Sequence, residues 1–245
     1  ASDVYKRQYI LLFLIISNVL FLHTSMLYSQ NPEPVVKEVK KKIGLDNKEK
    51  IPFYQGLSVG VNIADLGSHV LGSDKLSTDI MVQANLLNRF LPTVELGLGK
   101  VETISDETNI RYKTSAPFFK IGGDYNFYYK KPEQPGYLFL GFRYAFSSFS
   151  YDVEGPSMTD PNYGGQIEVP FSYTGISSNA HWLEFVGGLK VKIYKGFCMG
   201  WSLRYKKLFN VKKSENSEPW YIPGYGNNSS TNFSFSYHLI YNLPF

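Results

Sequence analysis

Residues 232–245 read NFSFSYHLIYNLPF, and Phe233, Phe235, Tyr237, Leu239, Tyr241, Leu243 and Phe245 stand at every second position. Successive side chains of a β-strand point to opposite faces, so this spacing predicts a strand with one continuous apolar face. A soluble protein buries such a face against a core. A membrane barrel turns it toward lipid, and the rest of the chain decides between the two.

Seven more stretches alternate in the same way from Gly56 onward. GLSVGVNIA sets Leu57, Val59, Val61 and Ile63 against Ser58, Gly60 and Asn62, TDIMVQANLLN sets Ile80, Val82 and Leu86 against Asp79, Met81 and Gln83, and TVELGLGK sets Val94, Leu96 and Leu98 against Glu95, Gly97 and Gly99. In FFKIGGDYNFYYK the apolar face is Phe119, Ile121, Gly123, Tyr125, Phe127 and Tyr129, opposite Lys120, Gly122, Asp124 and Asn126. YLFLGFRYAF opposes Leu138, Leu140, Phe142 and Tyr144 to Gly141 and Arg143. WLEFVGGLKVKI opposes Leu183, Phe185 and Leu189 to Glu184, Gly188 and Lys190, and FCMGWSLRY opposes Phe197, Met199, Trp201 and Leu203 to Cys198, Gly200 and Arg204.

One face is free of charge in all eight, while the charged face is rich in glycine. On a solvated outer surface those glycines would only weaken the strands. Inside an eight-stranded barrel, which is just wide enough for side chains, Gly60, Gly97, Gly99, Gly122, Gly141, Gly188 and Gly200 make room for charged neighbours. The expected fold is therefore all-β, an eight-stranded antiparallel up-and-down transmembrane β-barrel, with Glu95, Lys120, Asp124, Arg143, Glu184, Lys190 and Arg204 forming an ionic network in its lumen. A soluble lipocalin-like carrier would need the opposite orientation. Links after the second, fourth and sixth stretches (NRFLP, KKPEQPG, YKG) are short and the others long, as in barrels with periplasmic turns and external loops, so both termini are expected in the periplasm. Phe53, Tyr54, Phe90, Tyr128, Tyr129, Tyr137, Trp182 and Tyr194 are expected to form interfacial girdles.

Lys6 and Arg7 precede the apolar run YILLFLIISNVLFL, too short for a spanning helix and suited to a signal peptide over residues 1–29. Residues 30–51 carry six lysines, four acids and little apolar content between Gln30 and Lys50, and read as a flexible basic periplasmic tether. The barrel is assigned to residues 52–245. Aromatics are 16% of the 245 residues, charged residues 19% and the formal charge is +4, with no polybasic face for nucleic acid. The single cysteine and four scattered histidines provide no disulfide or metal motif, and no cofactor is expected.

The signal, the tether, the eight strands and the terminal Phe resemble the small outer-membrane β-barrel proteins of Bacteroidota, within the OmpA-membrane-domain and PorT-like barrel superfamily. PWYIPGYG, from Pro219 to Gly226, resembles a loop motif of a family of unknown function in that group. The resemblance implies outer-membrane lipid as surroundings. It also implies that the β-barrel assembly machinery reads a C-terminal signal at Tyr237, Leu239, Tyr241, Leu243 and Phe245. No activity is implied.

Candidate sites are few. Ser236 and His238 share a strand face, with Glu184 or Asp124 available to orient the imidazole, but that face is the lumen and a structural histidine is the simpler reading. His69 with Asp74, and His181 with Asp152 and Glu154, are too loosely spaced to specify a site, and Cys198 reads as an inert inward residue. Trp220, Tyr221, Pro223 and Tyr225 make the last long loop stiff and amphipathic, either a binding surface or a lid over the barrel mouth. The expected function is a non-enzymatic structural or accessory barrel that contacts an envelope protein through loops or tether. The alternatives are a lipid A-modifying enzyme and a small solute channel. Placing Leu140 on the lipid face predicts that Leu140→Arg costs roughly 2–4 kcal/mol of stability in a bilayer, measured by denaturant unfolding from lipid vesicles, with Arg143→Leu milder.

Overall fold

The computed structural model describes residues 52–64, 73–156, 158–159, 168–169, 172–214 and 217–244. They belong to one compact unit, Pro52–Phe245. The signal, the tether, His69 and Phe245 lie outside the described residues.

Eight strands close into one antiparallel barrel: β1 (Tyr54–Asn62), β2 (Lys75–Leu86), β3 (Phe90–Ile104), β4 (Arg111–Asn126), β5 (Gly136–Glu154), β8 (Ser172–Tyr194), β9 (Phe197–Val211) and β12 (Thr231–Asn242). Each pairs with its sequence neighbours around the ring, and β12 returns to β1. Two small hairpins stand in the long links, β6 (Met158–Thr159) with β7 (Glu168–Val169), and β10 (Tyr221–Ile222) with β11 (Gly226–Asn227).

The burial pattern inverts that of a soluble barrel. Leu98 is 60% exposed and Leu203 68%, whereas Glu95 and Glu184 are wholly buried. In water such an apolar surface would drive association; surrounded by lipid it is the ordinary exterior of a transmembrane barrel. On β5 the outward apolar positions run from Leu138 to Phe146 and then change to Ser148, Ser150, Asp152 and Glu154. At about 3.3 Å per residue and a tilt near 40° the apolar part is about 20 Å tall, close to the thickness such barrels present to lipid.

Above that belt the strands continue farther than the alternation predicts. β3 and β4 pair up to Ile104 and Arg111, leaving only residues 105–110 as a link, so the long connection expected after the third stretch is mostly strand. The fourth stretch is corrected at its other end. β4 stops at Asn126, and Phe127 and Tyr129 fall in the following turn, where the Asn126 side chain accepts from Tyr128 N. Tyr129 joins Phe90 and Tyr125 around the Arg89 guanidinium, whose centre is 4.8–5.1 Å from the three rings. That cation–π cluster anchors the girdle at the short-turn end. Phe53, Tyr54, Tyr128 and Tyr194 are also exposed at this end. Tyr137 and Trp182 do not belong to a girdle: Tyr137 lines lumen cavities and Trp182 is fully buried inside.

The glycines act differently from expectation. A Cβ on Gly97 would meet the Phe118 ring at 2.2 Å, one on Gly99 the Pro223 backbone at 2.8 Å, and one on Gly188 the Trp201 carbonyl at 2.2 Å. Only Gly141 makes way for a charged side chain, Asp124. Most of the lumen glycines therefore admit rings and backbone rather than ions. At Gly122 a Cβ would stand 1.8 Å from the Phe142 carbonyl oxygen, whereas at neighbouring Gly123, facing outward, the nearest atom is 3.6 Å away. Gly122→Ala should cost at least the roughly 1–3 kcal/mol of an overpacked interior, and Gly123→Ala less than about 0.5 kcal/mol. Thermal unfolding of the two variants in detergent, followed by the loss of the compact species on cold gel electrophoresis, checks the contrast.

Candidate functional site

The middle of the lumen is an ion-pair lattice. Glu95 on β3 takes Arg143 Nε at 3.2 Å and an Arg204 nitrogen at 3.1 Å on Oε1, and another Arg204 nitrogen at 2.7 Å on Oε2. Lys120 bridges Glu95 at 3.5 Å and Glu184 at 3.2 Å, while Arg204 reaches Glu184 at 3.0 Å. Trp182 Nε1 donates to Glu184 at 2.8 Å. Asp124 receives Arg143 at 2.8 Å and Gln83 Nε2 at 2.8 Å. Six of the seven sequence-proposed residues are thus in one network spanning β3, β4, β5, β8 and β9. The seventh, Lys190, stands apart and donates to Ser58 Oγ at 3.3 Å.

A second polar cluster was not singled out by sequence. His238 Nε2 lies 3.0 Å from Asp79 Oδ1, and Asn62 Nδ2 donates to Asp79 Oδ2 at 3.1 Å. The orienting carboxylate of His238 is therefore Asp79, not Glu184 or Asp124, both already engaged by cations. His181 is outside on the barrel surface, hydrogen-bonded to the Tyr144 hydroxyl at 2.6 Å, while Asp152 accepts from Gly175 N at 2.8 Å. Glu154 meets Arg111 at 3.7 Å, so His181, Asp152 and Glu154 each have different partners. Asp74 uses its backbone carbonyl toward Glu102 N. Cys198 is buried and receives Asn242 Nδ2 at 3.2 Å. Among the described residues no group of three or more His, Cys, Asp or Glu is placed to hold a metal.

Beyond the ionic layer, toward the long-loop end, the lumen turns apolar. Phe118, Trp182 and Tyr151 from the wall pack with Tyr221, Ile222 and Tyr225 of the β10–β11 hairpin, which is seated in the mouth. Lys206 Nζ donates to the carbonyls of Gly224 at 2.9 Å and Tyr225 at 3.1 Å, and the Tyr112 hydroxyl to that of Tyr221 at 3.0 Å. Gly224 sits at φ +79° directly on the Phe118 ring, where a Cβ would be 2.4 Å from it. Of the proposed loop surface, Tyr221, Pro223 and Tyr225 are buried; only Trp220 remains partly exposed, stacked on Tyr112 at 5.3 Å. The hairpin stops the mouth, where its apolar rings find a better partner than in water, and of the expected loop surface Trp220 is left exposed to another molecule. Of the proposed assembly-signal residues, Leu239, Tyr241 and Leu243 are exposed, while Tyr237 is buried and its hydroxyl donates to Met199 Sδ at 2.7 Å.

A closed sheet with an apolar exterior, an ionic middle and a stoppered mouth defines an integral membrane β-barrel whose lumen is blocked at its middle and at its long-loop end. The chain belongs to the family described as a domain of unknown function, DUF6048, whose profile matches residues 10–245. Two solved structures are similar to it. Neisserial surface protein A is 14% identical with a TM-score of 0.43, over 78% of this chain and 99% of that one. Ail, the attachment invasion locus protein of Yersinia pestis, solved with the heparin analogue sucrose octasulfate, is 8% identical with a TM-score of 0.39, over 77% of this chain and 97% of that one. The comparison with curated proteins gave no match.

The network revises the expected ranking of substitutions. Arg143 is the cation paired with Asp124, so removing it strands a buried carboxylate. Arg143→Leu should cost about 3–5 kcal/mol rather than being milder than Leu140→Arg. Replacing Asp124 by Leu in the same chain should recover part of the loss, measured by urea unfolding from lipid vesicles.

Proposed function

We propose that the protein is a non-enzymatic integral barrel of a bacterial outer membrane, with both termini periplasmic, and that it acts as a structural or accessory component of the envelope by contacting another envelope protein through its loops or N-terminal tether. The observation that carries this reading is a lumen blocked at its middle and at its long-loop mouth. Around Gln83, Arg143 and His238 the free space is about 20 Å³, room for about one water. Ion pairs block the centre, and the seated hairpin occupies the mouth, which argues against solute passage.

Against lipid chemistry stands the placement of the histidines. His238 faces the lumen and is held by Asp79, away from any lipid, and His181 is held by Tyr144 on the belt's upper edge. The outward surface supports the location: exposed leucines and phenylalanines form a belt, with aromatic and Arg89 anchors at the short-turn end. The strand extensions beyond the belt, with Lys100, Lys113, Asp152 and Glu154 exposed or half-buried on the outside, offer a polar collar for a protein contact.

Mild-detergent extraction of the native protein, with size and mass analysis, is expected to give a stoichiometric complex with one envelope protein, and planar-bilayer recordings of the purified barrel no steady conductance. A lone monomer together with altered lipid A in a deletion strain would overturn the accessory reading in favour of a lipid-modifying enzyme. Steady conductance would overturn it in favour of a channel.

A further inference from the structure

On the outer wall near the short turns, β4 interrupts its row of apolar side chains. Its outward positions run Phe119, Ile121, Gly123 and Tyr125, and the missing side chain at Gly123 leaves a dent beside Pro92, its partner on β3, and Phe142, its partner on β5. Leu86, Phe90, Pro92, Tyr125, Leu140 and Phe142 surround a notch of about 600 Å³, open on the lipid-facing side. An empty position in a wall of large apolar side chains forfeits packing contacts unless something settles into it.

The edge of the notch toward the short turns is positively charged. Leu87 and Asn88, at φ 56° and 55°, make the two-residue turn between β2 and β3, and the bond from Arg89 N to Leu86 O at 3.0 Å fixes Arg89 at the rim. The centre of its guanidinium lies 5.1 Å from the rings of Phe90 and Tyr125, both of which wall the notch, and 4.8 Å from the ring of Tyr129. Lys130 Nζ stands 5.7 Å from that same Tyr129 ring. Ring faces attract a cation but offer no lone pair to its N–H groups, and neither Arg89 nor Lys130 has a carboxylate partner among the described residues. Arg89 is half-buried: Nε is enclosed, while the terminal nitrogens, the fork that meets a phosphate, are not.

We propose that this notch holds one glycerophospholipid of the adjoining leaflet, with an acyl chain lying over Gly123 and Pro92 and the phosphate diester on Arg89, flanked by Lys130. The apolar floor and the cationic edge fit the two parts of such a lipid. Leu140 and Gly123 belong to the belt, where chains pack, and Arg89 belongs to the girdle at its end, where the charged head lies. Choosing a glycerophospholipid over lipid A rests on the periplasmic placement of the short turns proposed above. A Cβ on Gly123 meets nothing closer than 3.6 Å, so a larger side chain there fills the notch without disturbing the wall.

The test is native mass spectrometry of the full chain in non-ionic detergent, titrated with dioleoylphosphatidylglycerol, with dioleoylglycerol, which has the same chains and no phosphate, and with lipid A. One phosphatidylglycerol is expected to stay bound under activation that strips the remaining lipid and detergent. Retention should fall about tenfold or more for dioleoylglycerol and for the Arg89→Gln and Gly123→Leu variants, while Leu203→Phe, on β9 away from the notch, retains the lipid as the unmodified chain does. No stoichiometric lipid, equal retention of dioleoylglycerol, or unchanged retention in either notch variant would overturn the site and leave the orientation of the barrel untouched. Preferential retention of lipid A, lost in both notch variants, would instead overturn the glycerophospholipid together with the periplasmic placement of the short turns. Should Arg89→Gln fail to give the compact species on cold gel electrophoresis, Gly123→Leu and the comparison of phospholipid with dioleoylglycerol decide.

Discussion

Everything in the barrel depends on the seam where its first and last strands meet. Lipid provides no partner for a backbone N–H or C=O, so an open sheet edge is not tolerated and the ring must close. It closes through five residue pairs between β1 and β12, from Ser58 with Asn242 to Asn62 with His238, whereas β5 and β8 pair over most of their length. Single bonds prolong the seam at each end, Ile63 N to Tyr237 O and Leu243 N to Leu57 O, both short. Side chains reinforce it where the ladder stops. Ser58 Oγ donates to Asn242 at one end, and at the other Asn62, Asp79 and His238 tie β1, β2 and β12 together. That polar trio sits where it stitches the shortest strand pairing in the ring.

Closure with eight strands leaves an interior only wide enough for side chains, and the protein fills it in two different ways along the axis. In the middle, charges of both signs neutralise one another across the lumen. Such pairs add little net stability compared with well-packed apolar groups, but each is costly to break singly, so the lattice fixes the register of five strands against one another. Toward the long-loop end the filling is aromatic and includes a hairpin from the chain's own last loop. Lys206 joins the two regimes, because its stem rises from the wall beside Glu184's network and its ammonium caps the hairpin's carbonyls.

The strands and their faces are legible from alternation alone because a one-residue slip would exchange lipid-facing and lumen-facing sets. Leu138, Leu140 and Phe142 against Gly141 and Arg143 admit only one orientation once glycines mark the inside. The ionic members are legible for the same reason. What alternation hides lies where both faces are of one kind. Above the belt, Lys100 and Glu102 face outward in a solvated setting beside Val101 and Thr103, so the polarity contrast fades although the strand continues. Tyr112, Tyr151 and Trp182 turn inward among apolar neighbours, and there the lumen looks like a soluble core. The seating of PWYIPGYG depends on distant residues: Gly97 and Gly99 on β3 leave space for Phe118 and Pro223, a complementarity that no local pattern announces.

The two ends of this barrel are consequently unlike, and that asymmetry bears on function. At the long-loop end the stopper buries its tyrosines and leaves Trp220 and the polar strand extensions to meet other molecules. At the short-turn end the lumen stays open as a cavity of about 230 Å³ lined by Lys131, Lys190 and Lys192. The ionic lattice, around which only about 20 Å³ is free, isolates that cavity from the stoppered mouth, so the two ends of the lumen do not communicate through the middle.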